Sequence, residues 1–502
     1  MTEDKDNIVI PWSLDRLQAL YMNSDDVIIR NFQLNADEQS EIAFIFCEGL
    51  TDTVQLGKTI MPELEEMYKV MKGFSALNSS SLYGALPMLP VNPGVTAEKL
   101  SEWLFEGYLI MLFPTSGSLF RMNINNRPER SPEESSTEIS IKGPKDGFVE
   151  SLSMNVALIR KRVRSQSLCF ESCVIGRRTK TKVGILYFND ILDPNLLIEL
   201  RKRLNKIDID GLYSIHQLEE ALSDDKLSIF PLLDYTGRPD KAVSTLLSGR
   251  FVIIVDGNPH VLIGPANFTL LIDSPEDIHF NFQYVTFARL IRLLSFIVSI
   301  ILPGTWVALS AFHPDQIPFR LMATIASARI GLPFSGQVEL LILILMLEMF
   351  REAGVRLPST IGQTLTVVGG LIIGDAAIRA GLVSPSVVVV GAITAVSGVT
   401  LVNQSLSGAV SVIRLIIFFF ASFLGMYGLV ISIILLIGYM SRLSSFGVPF
   451  LAPLSPPVFR DLVSVIFRLP SSMQKKRPQA LHTIDKDRQG DENDEGKDEE
   501  NN

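Results

Sequence analysis

Cysteine and histidine are scarce in this chain, which has three cysteines and five histidines among its 502 residues. Three cysteines are too few, and odd in number, for the disulfide framework of a secreted protein. Cys169 and Cys173 could share one helical face, but no histidine or second cysteine pair lies near them in sequence. We therefore expect reduced thiols, with neither a metal site nor a cofactor.

Catalytic motifs and a secretion signal are also missing. The sequence has no Walker-type phosphate loop, no nucleophile elbow and no dinucleotide-binding glycine fingerprint. Its beginning, MTEDKDNIVIPWSLDRLQ, lacks the basic start and the apolar run of a secretory signal. These absences favour a protein that is not an enzyme and whose soluble part stays in the cytoplasm.

Charge is unevenly distributed along the chain. Residues 1–288 have the composition of a soluble protein, whereas residues 289–442 are dominated by apolar runs. Residues 443–478 are basic, and the segment that follows is acidic, with nine acidic and three basic residues after position 484. Such a polar block cannot bury a core, so we expect a disordered tail over 479–502.

The soluble half divides at RPERSPEESS, which predicts a linker over 127–142 between subdomains at 1–126 and 143–288. In the first subdomain the pattern predicts helices over 38–52 and 61–74, then two strands in EGYLIMLFP and SLFRMNI.

The second subdomain alternates helices with strands, as in an α/β (α+β) domain. A helix follows Gly143-Pro144, TKVGILYF is a buried strand, and LLIELRKRLNKI and SIHQLEEALSD are helices. FVIIVDGNPHVLIGP predicts a hairpin that turns at Asp256-Gly257-Asn258.

Two basic clusters, RKRVR at 160–164 and RRTKTK at 177–182, could bind nucleic acid or anionic lipid. The domain lacks the high isoelectric point and the interleaved aromatic residues of a nucleic-acid binder. We therefore expect both basic clusters to lie on solvent-exposed faces of the domain, and we expect no nucleic-acid partner.

The apolar half predicts an all-α membrane domain. Leu293–Pro314 gives 22 uncharged residues, enough to cross a bilayer, with Pro303-Gly304 as a predicted kink. Residues 380–413 and 415–440 are two further uncharged runs, and the first is expected to break at Asn403-Gln404-Ser405. Basic residues flank both ends of the domain, so the positive-inside rule puts both flanks in the cytoplasm and makes the number of spans even. We predict four spans, with 338–350 as an interfacial or re-entrant piece and six as the alternative.

Residues 362–385, GQTLTVVGGLIIGDAAIRAGLVSP, combine small residues with charge. A helix here would align Gly370, Gly374, Ala377 and Gly381 in one stripe suited to close helix packing. Asp375 and Arg379 would share a face, and since charge in hydrocarbon is costly, we expect them to face protein or water. They either fix helix packing or line a path for ions or solutes. Candidate lining residues are Asp375, Arg379, Thr366, Glu339 and Glu348.

Several motifs in order resemble the GerA family of spore germination proteins, and more closely the A subunits of its germinant receptors. They are GRRTKTKV (176–183), IDIDG (207–211), GRPDKA (237–242), SPED (274–277), REAGVRLPSTIGQ (351–363), GLVSP (381–385) and SFGVPFLAPLSP (445–456). Two sites differ from the family, which more usually has an uncharged polar residue at 375, and a proline and Tyr-Glu-Leu-Gly where this chain reads LVNQSLSGA.

The resemblance implies a protein of the spore inner membrane that acts with a transporter-like B subunit, the expected germinant binder, and a lipoprotein C subunit. It also implies a homo-oligomer around a cation-conducting pore. Two alternatives stay open from the residues alone, namely a stand-alone transporter and a membrane-anchored scaffold.

Overall fold

The structure is a computed structural model that describes residues 12–34, 41–71, 86–125, 138, 140–356, 374–470 and 473–488. The chain forms two compact units. Unit 1 comprises residues 1–223, 233–265 and 474–502, and unit 2 comprises residues 224–232 and 266–473.

Unit 1 contains two five-stranded sheets with helices packed on them. The first sheet, in the order β1-β2-β4-β5-β3, is formed by β1 Val27–Gln33, β2 Glu41–Cys47, β3 Leu89–Val91, β4 Tyr108–Phe113 and β5 Ser118–Asn123. The second, in the order β6-β7-β9-β10-β8, is formed by β6 Leu168–Ile175, β7 Thr181–Phe188, β8 Asp234–Thr236, β9 Phe251–Val255 and β10 Val261–Gly264. The helices are α1 Leu14–Leu20, α2 Thr53–Gln55, α3 Met61–Met71, α4 Ala97–Phe105, α5 Leu152–Arg160, α6 Pro194–Lys206, α7 Ile215–Leu222 and α8 Pro239–Leu247. The paired strands run antiparallel, so the unit is α+β.

The segment EIAFIFC is the strand β2, so the helix predicted over 38–52 is wrong. Ile42 and Phe44 pack in one apolar core, and Ala43 and Ile45 pack in a second core on the opposite face of the sheet. A strand covered on both faces loses the polar alternation by which strands are normally recognised. SLCFESC is likewise a strand, β6, and Cys169 and Cys173 are free thiols in it.

Other predicted elements of unit 1 are confirmed. The second predicted helix is α3, and the two strands proposed after it are β4 and β5. The strand β7 and the helices α6 and α7 lie where expected. In the second sheet, β9 and β10 form the hairpin that turns at 256–258.

Arg160, at the end of α5, connects the part of unit 1 that contains the first sheet with the part that contains the second sheet. Its guanidinium is fully buried and makes two hydrogen bonds to Asp26, from Nε at 2.8 Å and from Nη2 at 3.0 Å. It also donates to the carbonyl oxygen of Leu168 and lies 4.0 Å from the centre of the Phe105 ring. The solvated face expected for RKRVR is therefore wrong at Arg160, whose charge is paired inside the protein.

Removing this guanidinium leaves Asp26 buried without its partner, so Arg160→Ala should cost about 3–5 kcal/mol of unfolding free energy. Arg164→Ala is the matched control, because its ion pair with Glu106 is partly exposed and should contribute no more than about 1 kcal/mol. Urea unfolding of the full chain in mild detergent, followed by tryptophan fluorescence, measures both. Equal losses would contradict the role of Arg160.

The chain beyond residue 473 returns to unit 1. Leu481 and Thr483 are buried there, and the N–H of Ile484 donates to the carbonyl oxygen of Ile191 at 3.0 Å. The disordered tail expected from residue 479 therefore does not begin there, because apolar contacts and backbone pairing hold residues 479–488 in place.

Unit 2 is helical. Its helices are α9 Phe268–Ile272, α10 Phe282–Val307, α11 Phe319–Ala328, α12 Gly336–Arg356, α13 Pro385–Val399, α14 Gln404–Arg442 and α15 Phe459–Ile466. Among the described residues, two helical stretches are long and apolar enough to cross a bilayer, 282–312 and 404–442. The break expected near Asn403 is confirmed, since Asn403 caps α14 by accepting from the N–H of Leu406 at 2.9 Å.

The 39 residues of α14 are two helical arms rather than one rod. Gly425 interrupts them with φ 59° and ψ −139°, outside helical geometry. Gly428 packs so closely on Phe420 that an added Cβ would clash with the Phe420 carbonyl oxygen, although eight residues of helix would separate the two by about 12 Å. The chain therefore folds back, and the single span predicted over 415–440 is divided between a first arm (404–424) and a second arm (426–442).

The remaining helices run alongside these arms. Gln337, at the start of α12, donates to the carbonyl oxygen of Ser422 at 3.2 Å, while Glu348, further along α12, meets Arg414. Helix α12 is therefore antiparallel to the first arm. Its residues Leu340, Leu343 and Ile344 are buried against α10, α13 and the first arm, so 338–350 belongs to the core of the bundle.

Gly425 should be intolerant of a side chain. Its backbone conformation is accessible almost only to glycine, which costs another residue about 1–3 kcal/mol, and an added Cβ would lie 2.9 Å from Cγ of Phe312. Gly425→Ala should therefore lower the thermal unfolding midpoint of the purified chain in detergent. Gly438→Ala is the control, because nothing lies within 4 Å of a Cβ there; an equal fall in both variants would refute the claim.

Candidate functional site

Three charged side chains meet where α12 packs against the first arm of α14. Arg414 donates from Nη2 to Glu348 Oε2 at 2.9 Å, and Arg351 donates to the other carboxylate oxygen of Glu348. Arg351 also donates to Ser407 Oγ at 3.3 Å. The Arg414 side chain is only 6% exposed, whereas Glu348 and Arg351 are 29% and 36% exposed. One carboxylate therefore pairs with a buried and a partly exposed guanidinium group.

A small cavity adjoins this ionic cluster. Its volume is about 90 Å³, and its lining includes Glu348, Arg351, Arg414, Thr394 and Gly398. Among the described residues, Nε of Arg414 has no hydrogen-bond partner. Buried polar groups of this kind usually bind water, and the cavity is large enough for several molecules. The cluster places charged groups beside a cavity that can hold water between the helices.

Glu339 occupies the opposite end of α12 and is fully buried. Its Oε2 accepts the backbone N–H of Ser384, the N-cap residue of α13, at 2.9 Å. Nε of Arg329 lies 3.5 Å from its other oxygen. Glu339 therefore fixes the start of α13 against α12.

Asp375 and Arg379 form the ion pair expected from their spacing, with Nε and Oδ2 2.8 Å apart. Their side chains are 57% and 79% exposed in the single chain. Residues 374–379 are helical, and an added Cβ on Gly374 would lie 3.6 Å from Val388, in the first turn of α13. The pair therefore lies near the end of the bundle where α13 begins.

The stripe of small residues is described only in part, because Gly370 lies outside the described residues, as does the candidate lining residue Thr366. Ala377 is buried, whereas Gly381 lies beyond the helix end with φ 64°. In α10, the helix continues through Pro303 and Gly304, and both residues are buried.

The two arginines of the ionic cluster are not among the site residues predicted from the sequence. Arg414 is the only charge between the uncharged runs 380–413 and 415–440, which was the available signal. An isolated charge inside apolar sequence implies a buried partner, but the partner, Glu348, is 66 residues away in the chain.

The GRPDKA motif in unit 1 also carries buried charge. Lys241 Nζ lies 2.9 Å from Asp234 Oδ2 and 3.5 Å from Glu138 Oε1. Burial alone would lower the pKa of Lys241, but the two carboxylates outweigh it and raise the pKa above its usual range. The lysine therefore stays charged and ties residue 138 to β8 and α8.

The fold defines a class of protein with an α+β unit and a helical unit that carries membrane-spanning sequence. Residues 15–480 match the family described as Bacillus/Clostridium GerA spore germination protein. The chain belongs to this family of spore germination proteins, and its long apolar helices indicate a membrane protein.

Its relatives extend over nearly its whole length. Spore germination protein XA of Bacillus anthracis is 43% identical over 96% of this chain and 98% of that protein. Spore germination protein KA of Bacillus subtilis is 34% identical over 93% of this chain and 86% of its own length.

A solved structure is also similar, the N-terminal domain of the A subunit of the Bacillus megaterium spore germinant receptor GerK3. It is 27% identical, with a TM-score of 0.34, and the match covers 51% of this chain and 94% of that one.

Glu348 and Arg414 should be energetically coupled. Glu348→Gln leaves two guanidinium groups facing each other, so it should destabilise the chain more in the presence of Arg414 than in the Arg414→Met background. Contacting charged residues typically show an interaction energy of about 0.5–3 kcal/mol. A double-mutant cycle on unfolding in mixed detergent micelles measures this energy; additive effects would contradict the coupling.

Proposed function

We propose that this chain is the A subunit of a nutrient germinant receptor in the spore inner membrane, and that its copies assemble into a gated cation channel. It acts with a transporter-like B subunit and a lipoprotein C subunit. The chain is not an enzyme in this proposal, since its task is to conduct ions when the receptor is engaged.

The helix directions support six crossings, the alternative to the four first predicted. Helix α12 is antiparallel to the first arm of α14, and the second arm folds back at Gly425. Helix α13 runs in the same direction as α12, because Ser384 meets Glu339 and Gly391 packs on Leu343. Helices α12 and α13 therefore count as two crossings in the same direction. An even number keeps both flanks in the cytoplasm, as their basic residues require.

The observation that carries the channel proposal is the exposed Asp375–Arg379 pair. An ionised group at the centre of a bilayer costs about 2.5–3.5 kcal/mol on insertion scales, so ionised groups of a membrane bundle face water or protein rather than lipid. These two side chains point away from their own chain, so water or another copy has to receive them. A ring of copies provides both, with residues 375 and 379 at the mouth of a shared aqueous path.

Neutralising each member of the pair separately tests this role. Asp375→Asn leaves Arg379 positive and should slow K⁺ release from spores placed in rich nutrient medium, by about tenfold if the mouth concentrates cations. Arg379→Gln leaves the carboxylate alone and should preserve or speed release. K⁺ in the medium is measured with an ion-selective electrode, and receptor content by immunoblot.

Glu65→Gln, an exposed charge removal on α3 of unit 1, is the matched control and should leave release unchanged. Equal losses in both pair variants would indicate a structural role in helix packing. Wild-type release in both would favour a membrane-anchored scaffold, and saturable solute uptake by the chain alone would favour a transporter.

A further inference from the structure

Helix α15 lies beside the first turns of α10. Arg289 of α10 donates from Nη1 to the carbonyl oxygens of Ser464 and Val465, at 3.3 and 3.0 Å. The N–H of Arg468 donates to Thr286 Oγ1 at 3.1 Å. The short helix is therefore held at the level of residues 286–289.

The polarity of α15 is the reverse of that of a surface helix in water. Its buried side carries Asp461, which is 7% exposed. Its outward side carries Phe459 and Val463, one turn apart, followed by Phe467 just past the helix end; they are 78%, 50% and 49% exposed. Arg460 and Ser464 are exposed beside them. A helix facing water normally buries its apolar stripe and exposes its charges.

The level at which α15 is held explains this reversal. Arg289 and Arg292 are the last charges before the uncharged stretch Leu293–Pro314, so this part of α10 marks the edge of the hydrocarbon region. Tyr284 and Phe287 are also exposed there, and aromatic side chains of this kind favour the boundary between membrane and water.

We propose that α15 is an interfacial helix that rests on a phospholipid surface, with Phe459, Val463 and Phe467 inserted among the lipids. The inference goes beyond ion conduction and rests only on α10 crossing the membrane. Arg460, on the edge of the helix and about half exposed, is positioned to meet anionic headgroups. The apolar face of α15 then continues the lipid-facing surface of α10.

A spin label placed on each side of α15 tests the inference in the full chain reconstituted into vesicles of phosphatidylglycerol and phosphatidylethanolamine. Cys173→Ser removes the partly exposed native thiol, while Cys47 and Cys169 are buried. The label on Val463→Cys then lies on the apolar face of α15, and the label on Arg460→Cys lies at its polar edge. Both positions are exposed, so the variants should reconstitute as the parent chain does.

We expect the label at 463 to be accessible to oxygen and protected from a water-soluble nickel chelate, with an oxygen-to-nickel ratio severalfold higher than at 460. Equal ratios, with nickel reaching both labels, would show that the face is in water and would overturn the proposal. Protection of 463 from both reagents, with spin–spin broadening between labels, would instead indicate contact between copies and would also overturn it.

Discussion

A reversal of the chain at one residue determines how the helices of unit 2 pack. At Gly425 the backbone takes φ 59° and ψ −139° beside the ring of Phe312, which only a residue without a side chain can do at low cost. The reversal brings the first arm of α14 alongside α12 and returns the second arm across Gly304 of α10. Arg414 then faces Glu348, and α13 finds its place between α10 and α12.

Charges within this bundle are handled in two ways. Glu348 forms ion pairs with both Arg351 and Arg414, and Glu339 accepts a hydrogen bond from the backbone of Ser384. Pairing satisfies these groups within one chain, so they tie helices together. Asp375 and Arg379 also pair, yet both remain largely exposed. An exposed ion pair needs water or another chain around it. The proposal therefore places the opening of the shared path at this pair and not at the cluster of Glu348, Arg351 and Arg414.

Much of unit 1 could be predicted from the local sequence pattern. The strand β7 contains a continuous run of buried residues, and the helix α6 buries apolar residues on one face. The strand β2 could not, since cores on both sheet faces make it read like a uniform apolar segment. In unit 2 the break at Asn403 was visible as a polar interruption, whereas the reversal at Gly425 was not, because glycine is common in membrane helices. The Glu348–Arg414 contact depends on tertiary packing, so composition alone could not reveal it.

Buried charge therefore carries different information in the two units. In unit 1, Arg160 with Asp26 and Lys241 with Glu138 join segments distant in sequence. In unit 2 the same chemistry operates in a bundle with many exposed apolar side chains, where a charge turned outward is the exception. The inverted polarity of α15 follows the second rule, since it buries Asp461 and exposes Phe459. The surroundings of a helix can thus be inferred from which of its faces carries the charge.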